Sequence, residues 1–243
     1  MLEDQERFLF EDWIFPNRLD DFRDGEILEC GCGGGQHTAF VAPYAKHVVA
    51  VDLNTTDLAK ERNANATNIE FVEEDIGAMD LGRKFDIVFS VGVVHHTDDP
   101  DRVVKNLIRH VKPGGRLILW VYSEEGNALV KYGVEPIRKL FLRRLPRNIL
   151  NCISKAVTAL LYIPVYSLYL LPLSFLPYYE YFGNFRRLSF ARNNLNVFDK
   201  LNAPQVEFIC EERARGWLPS AEFRDVHISA YKGVSWRLSG TRL

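Results

Sequence analysis

Between Glu26 and Tyr122 the chain alternates short, almost purely apolar runs with longer mixed stretches. EILEC, HVVAVD, IEFVE, FDIVFS and GRLILWVY have the length and the β-branched character of strands. QHTAFVAPYAK, TTDLAKERNAN and PDRVVKNLIRHV lie between them and read as helices. The last is preceded by Asp98 and Asp99, both candidate N-caps, and has Pro100 at its first helical position. Alternation of this kind predicts right-handed crossovers, and therefore a parallel sheet covered by helices on both faces.

After Tyr122 the alternation stops. Residues 123–200 hold no clear strand, and the 24 residues from Ala156 to Tyr179 carry no charge. The pattern then resumes with a helix expected within APQVEFICEERARGW and two strand-like runs, FRDVHIS and VSWRLSG. Lys232 and Gly233 lie between these runs and predict a terminal antiparallel hairpin. The chain thus divides into an N-terminal flap with the α/β core (1–122), a helical insertion or lid (123–200), and a helix with a hairpin that completes the core sheet (201–243).

Composition narrows the class. With 243 residues, 47% hydrophobic and 26% charged, the chain suits one large α/β domain with an elaborate insertion. Thirty basic against 32 acidic residues give a net charge of −2, which excludes nucleic-acid binding by bulk electrostatics. Four cysteines without a CxxC pair, behind an acidic start with no secretory apolar region, point to a reducing cytoplasm. Cys30, Cys32 and His37 are explained by alternating strand positions and a glycine loop, so no metal site is expected.

The candidate chemistry begins at ILECGCGGGQHTAF, where four glycines fall within five positions just past the first strand. In an open parallel sheet this is where ligands bind. Gly31, Gly33 and Gly35 permit a tight turn around a ligand. A dinucleotide fingerprint would carry its third glycine one residue further on, where this chain has Gln36. Acidic residues close three successive strands: Glu29, Asp52 and Asp75. A carboxylate such as Asp52 can accept both hydroxyls of a ribose, and Asp75 can accept from an exocyclic amine. Glu29 can face a cation. Past the fourth strand, His95 and His96 sit at the mouth of the same cleft. On an extended backbone only one of the two would point into it.

Taken together these residues resemble the class I S-adenosylmethionine-dependent methyltransferases, directly over about residues 26–122 and more loosely at the C-terminal hairpin. Glu29 with Gly31, Gly33 and Gly35 is similar to the family's first motif. Asp52 matches its ribose-binding acid, and Asp75 with Ile76 its adenine contacts. SVGVVHHTDDP and LIRHVKPGGRLILWVY match the segments after the fourth strand and into the fifth. The resemblance implies a Rossmann-like three-layer α/β sandwich around a seven-stranded, mostly parallel sheet in the order 3-2-1-4-5-7-6, with a helical insertion after the fifth strand. It also implies S-adenosyl-L-methionine as cofactor, held by Glu29, Gly31, Cys32, Gly33, Gly35, Asp52, Leu53, Asp75, Ile76 and Ser90. The acceptor would be an oxygen, nitrogen or carbon nucleophile, with His96 as base and His95 as cofactor wall, or the reverse. Two rivals stand beside this reading: a silent methyltransferase-like scaffold, and an NAD(P)-dependent oxidoreductase, which Gln36 disfavours.

No nucleic-acid module is visible, and a small-molecule or a lipid- or glycan-linked acceptor is expected. Phe8, Phe10, Trp13 and Phe15 suggest either an aromatic flap over the site or a plain packing helix. Pro164, Pro172 and Pro177 interrupt the uncharged segment and argue against a membrane-spanning helix. Two roles remain for the insertion. One is a lid packed on the core or on a second subunit of a homodimer. The other is a membrane-surface element framed by Arg138, Lys139, Arg143, Arg144, Arg147, Arg186 and Arg187. Asp199, at the return to the core, is a further candidate for substrate contact.

Overall fold

The computed structural model describes residues 2–203 and 205–243, without the side chains of residues 2–5 and of Arg143. Helix α1 (Leu2–Ile14) leads to β1 (Glu26–Cys30), α2 (Gln36–Val41), β2 (His47–Asp52), α3 (Thr56–Arg62), β3 (Ile69–Glu73) and β4 (Phe85–Val91). A 3-10 turn over Val94–His96 precedes α4 (Pro100–Arg109) and β5 (Val111–Tyr122). The insertion contributes α5 (Glu135–Leu140), α6 (Arg147–Val165), α7 (Tyr179–Phe185) and α8 (Phe190–Asn202). The chain closes with α9 (Glu211–Gly216), β6 (Phe223–Tyr231) and β7 (Ser235–Arg242).

One seven-stranded sheet runs β3-β2-β1-β4-β5-β7-β6, parallel as far as β5 and antiparallel for the β6–β7 hairpin. This is the order the resemblance implies. The hairpin turn has Lys232 and Gly233 both at positive φ, 53° and 67°, which matches the right-handed twist of the flanking strands. Asp99, not Asp98, caps α4: its Oδ1 accepts the Arg102 amide at 3.0 Å.

The sheet buries one apolar cluster on each face. Val49, Val88, Leu107, Leu117 and Trp217 belong to one. Phe10, Phe22, Ile27, Phe89 and Ile118 belong to the other, and it draws in α1. Phe10 and Ile14 are fully buried, so α1 packs as a core helix, while Phe15 stays 48% exposed. Trp13 reaches past this core to tilt against Trp120, with ring centroids 4.7 Å apart.

The helix expected over 203–217 is shorter than its sequence suggests. Only residues 211–216 coil, and residues 205–210 form no helix, Ile209 making an isolated bridge to Ser123 instead. Their backbone groups are committed elsewhere: Glu207 N–H donates to the His95 carbonyl at 2.8 Å and Ile209 N–H to the Tyr122 carbonyl at 3.0 Å. Tertiary hydrogen bonds here override local propensity.

The insertion forms its own small core around Leu150, Val165, Phe185, Val197 and Leu201. Within the uncharged stretch, α6 ends just past Pro164 and the chain continues as turns through Pro172 and Pro177.

Candidate active site

The glycine loop is pinned to β2 by two hydrogen bonds, from the amides of Gly31 and Cys32 to the Val51 carbonyl, at 2.8 and 3.0 Å. Gly31 has φ 84°, and a Cβ there would lie 2.5 Å from Val93 Cγ1. Gly33 has φ 52° with nothing within 4 Å of where its Cβ would stand, so its backbone offers open space to a ligand. Gly35 precedes α2 as its N-cap. Asp52 closes the turn from below: Oδ2 accepts the Gly33 amide at 2.9 Å and Oδ1 the Asn54 amide at 3.2 Å. Each oxygen keeps a second lone pair for an incoming hydroxyl. Leu53 beside it is 54% exposed.

Glu29 lies beneath this loop and is 1% exposed. Thr38 Oγ1 donates to its Oε2 at 2.5 Å, whereas Oε1 has no hydrogen-bond partner. Burial pushes the carboxyl from 4.5 up to about 8, the charge of Asp52 adds to this, and the Thr38 bond opposes it. His37 Nδ1 is 3.9 Å from Oε1, and its ring stacks on Phe10 at 4.7 Å. Burial, helped by Arg192, pushes the imidazole down to about 4. At neutral pH both groups are therefore uncharged, and because Oε2 accepts from Thr38 the carboxyl proton lies on Oε1, which can accept from a cationic donor once that proton is released.

The remaining cofactor candidates divide by environment. Asp75 accepts the Gly77 amide at 2.8 Å and faces Arg102 at 3.4 Å from the partly exposed end of β3, and Ile76 is buried beside it. Cys32 is buried, and burial drives its thiol upward and keeps it protonated. Ser90 is fully buried, and its hydroxyl donates to the Cys30 carbonyl at 2.7 Å. That bond staples β4 to β1, so the Ser90 hydroxyl proton is directed into the sheet and not toward the loop.

The two histidines do not sit on an extended backbone. They occupy the 3-10 turn, with rings side by side and centroids 4.2 Å apart. The expectation that they face opposite ways is therefore corrected, because a helical turn places neighbouring side chains about 100–120° apart instead of 180°. His95 is fully buried against Tyr122 (4.2 Å) and Trp120 (6.1 Å). Tyr122 N–H donates to its Nδ1 at 3.4 Å, which leaves the ring hydrogen on Nε2, buried and unpartnered. His96 has the opposite arrangement. Its Nδ1 is 2.8 Å from the Gln205 carbonyl oxygen, which can only accept, so Nε2 carries the open lone pair.

Burial lowers the pKa of both rings. For His96 the Gln205 bond and Asp199 act against burial, while Arg138 and Lys200 reinforce it. Arg138, Asp199 and Lys200 come from the insertion, and Gln205 from the segment that follows it. The Lys200 ammonium on α8 lies 5.1 Å from the Tyr122 ring centroid and 5.2 Å from that of Tyr181. Arg138 on α5 is buried and donates to the Glu135 carboxylate at 3.3 Å and to the Lys200 carbonyl at 3.5 Å.

Sequence reading did not single out Thr38, Trp120, Tyr122, Lys200 or Gln205 for the site. Trp120 and Tyr122 sit toward the C-terminal end of β5, so the strand-end rule that selected the acids would also have reached them. Lys200 and Gln205 come to the histidines from more than a hundred residues away, and no local pattern marks them. Among the described residues, no three His, Cys, Asp or Glu side chains gather as a metal site.

Residues 28–119 match the family model described as a methyltransferase domain. A ubiquinone biosynthesis O-methyltransferase from Rickettsia conorii is 30% identical over 122 residues, covering 48% of this chain and 41% of that protein. The chain spans 34% to 61% of the length of the curated relatives it matches. Among solved structures, an O-methyltransferase family protein from Burkholderia thailandensis aligns with TM-score 0.55 at 16% identity, covering 98% of this chain and 56% of that one. N-methyltransferase NodS from Bradyrhizobium japonicum WM9 aligns with TM-score 0.50 at 12% identity, covering 99% and 87%. Sheet order, glycine loop and sequence match agree: residues 28–119 are a methyltransferase domain, and the chain has the fold of these methyltransferases.

Proposed function

We propose that this chain binds S-adenosyl-L-methionine beneath the Gly31–Gly35 loop and methylates an oxygen, nitrogen or carbon nucleophile of a small-molecule or lipid- or glycan-linked acceptor. The observation that carries the reading is the buried carboxyl of Glu29, whose Oε1 lacks a partner under a glycine turn with open space at Gly33. A methionine-type ammonium supplies the missing donor, and its charge favours the ionised carboxylate that burial disfavours. Asp52 has lone pairs for the ribose hydroxyls, and Asp75 with Ile76 lines the place for the base.

When bound, the cofactor supplies an electrophilic methyl group on a sulfonium. The chain's own residues do the rest. Trp13, Trp120 and Tyr122 wall the site with aromatic surface and exclude water. His96 Nε2 accepts the acceptor's proton, and the Gln205 carbonyl holds the ring in the tautomer that can do so. His95, with its hydrogen on Nε2, donates to an acceptor lone pair and orients it. Burial keeps the His96 base neutral, and the positive charges of Arg138 and Lys200 add to this and favour an acceptor that becomes anionic as it loses its proton.

Titration calorimetry of the purified chain with S-adenosylmethionine, S-adenosylhomocysteine and NADH tests the cofactor. The expected outcome is binding of the first two only, weakened about 10- to 100-fold by Asp52→Ala through loss of a charged hydrogen-bond acceptor. NADH binding alone overturns the reading.

A further inference from the structure

Helix α6 is apolar on its outer face as well as on its inner one. Helix α6 buries Ser154 and Thr158 beside Leu150 and Val165. Ser154 Oγ donates to Asn194 Oδ1 on α8 at 2.7 Å, and Thr158 Oγ1 to the Ser154 carbonyl at 2.7 Å. On the opposite face Ile149, Ala156, Leu160 and Ile163 recur at helical spacing and point outward, with Leu160 64% and Ile163 68% exposed. A helix whose outer face lies in water carries polar residues there.

The exposed apolar surface continues beyond α6. Among the described residues, 13 of the 20 exposed large hydrophobic side chains fall within residues 129–175, including Phe141 at 66% and Phe175 at 80%. So dense a concentration marks a contact surface and not scattered exposure.

Charge identifies the occupant. From Pro136 to Tyr179 the chain carries six Lys and Arg and no Asp or Glu, although its net charge is −2. Arg144, Arg147 and Lys155 are exposed along this stretch, as is Lys139, which pairs with Glu135 at 2.9 Å. Two copies of the chain pairing through this face would bring like charges together. A bilayer with anionic headgroups satisfies both the apolar face and the cations around it. By length and composition the 19-residue α6 could cross a membrane. Its inner face is nevertheless tied to α8 through Ser154 and Asn194, which leaves only the outer face for lipid.

We propose that the face spanning residues 137–175 docks on an anionic lipid bilayer, with α6 lying in the headgroup layer parallel to the membrane. This surface is separate from the cofactor site, and its role does not depend on the methyl-transfer reading.

Flotation of the purified full chain tests the proposal, using vesicles of phosphatidylcholine with phosphatidylglycerol beside vesicles of phosphatidylcholine alone. The chain should float with the anionic vesicles, partition at least about tenfold less to the neutral ones, and come off in high salt or alkaline carbonate. Leu160→Asp with Ile163→Asp should abolish flotation, and Arg144→Gln with Arg147→Gln should lower partitioning about 25-fold. All four positions are exposed, so lipid-free thermal unfolding should be unchanged and loss of flotation cannot be ascribed to misfolding. Wild-type protein that stays down with both vesicles overturns the proposal, as do variants that float like wild type. A carbonate-resistant wild type overturns the interfacial orientation in favour of a span. A dimer in sedimentation velocity that Leu160→Asp breaks, without flotation, assigns the face to a second copy instead.

Discussion

Glu29 links three properties through one carboxyl. Its pKa in the folded chain stands near 8, against an ordinary 4.5, because it is buried. The sign follows directly: the folded state holds this proton where the unfolded state has lost it. Cofactor-free stability from this group is therefore full below about pH 4.5 and is lost as pH rises through about 8. Glu29→Gln should remove that dependence and stabilise the cofactor-free chain by about 2 kcal/mol at pH 8, measured as a shift in the denaturant midpoint. The same variant should weaken S-adenosylmethionine binding. Calorimetry in buffers of different ionisation enthalpy should show a proton released on binding to wild type near pH 7 and none for Glu29→Gln. The acids at the strand ends were legible because strand register fixes them in sequence. What the sequence could not show was that Glu29 is wholly buried and half satisfied, since that depends on how Thr38 returns over it.

The two histidines differ at the same scale. His96→Ala should slow transfer about 10²- to 10⁴-fold with little change in cofactor affinity, as expected for loss of a general base. In the proposed role His96 must be neutral, and burial holds its pKa below the ordinary 6.5, so the rate should hold down to below pH 6.5 and fall only beneath it. Asp199 raises that pKa from an exposed position, so Asp199→Asn should move the acid limb to still lower pH while leaving kcat at neutral pH nearly unchanged. A limb that stays in place, with kcat reduced, would mean that Asp199 touches the acceptor directly.

Among elements, the strands were readable and the connections less so. β1 and β2 begin and end where the apolar runs do, because buried parallel strands need continuous apolar sequence, and the half-exposed edge strand β3 fills the run in which apolar and acidic residues alternate. Residues 205–210 look helical in sequence yet form no helix, because their amides pair with carbonyls of His95 and Tyr122 that no local window contains. Helix α6 could be read as apolar, but which face it buries could not, since Ser154 and Thr158 find their partners only once α8 is in place. Ser154→Ala should destabilise the chain by about 1–3 kcal/mol by leaving Asn194 Oδ1 without its donor, whereas Leu160→Ser should change stability by less than about 0.5 kcal/mol. Urea unfolding of the two variants checks the orientation of α6 without any lipid present.

In the whole molecule, the insertion is fastened to the core at both ends. Where it leaves, Ser123 N–H donates to the Val234 carbonyl at 3.1 Å, and Asn127 Nδ2 bridges the Ser123 and Val234 carbonyls at 2.8 Å each. Where it returns, Gln205, Glu207 and Ile209 are bonded to His96, His95 and Tyr122. A segment moored so close to the reacting groups makes a poor swinging gate, because opening it would dismantle the histidine arrangement it helps to hold. An acceptor would therefore have to come and go with this segment left in place. Amide exchange should report this as slow exchange at Glu207 and Ile209 throughout the catalytic cycle, with acceptor present or absent.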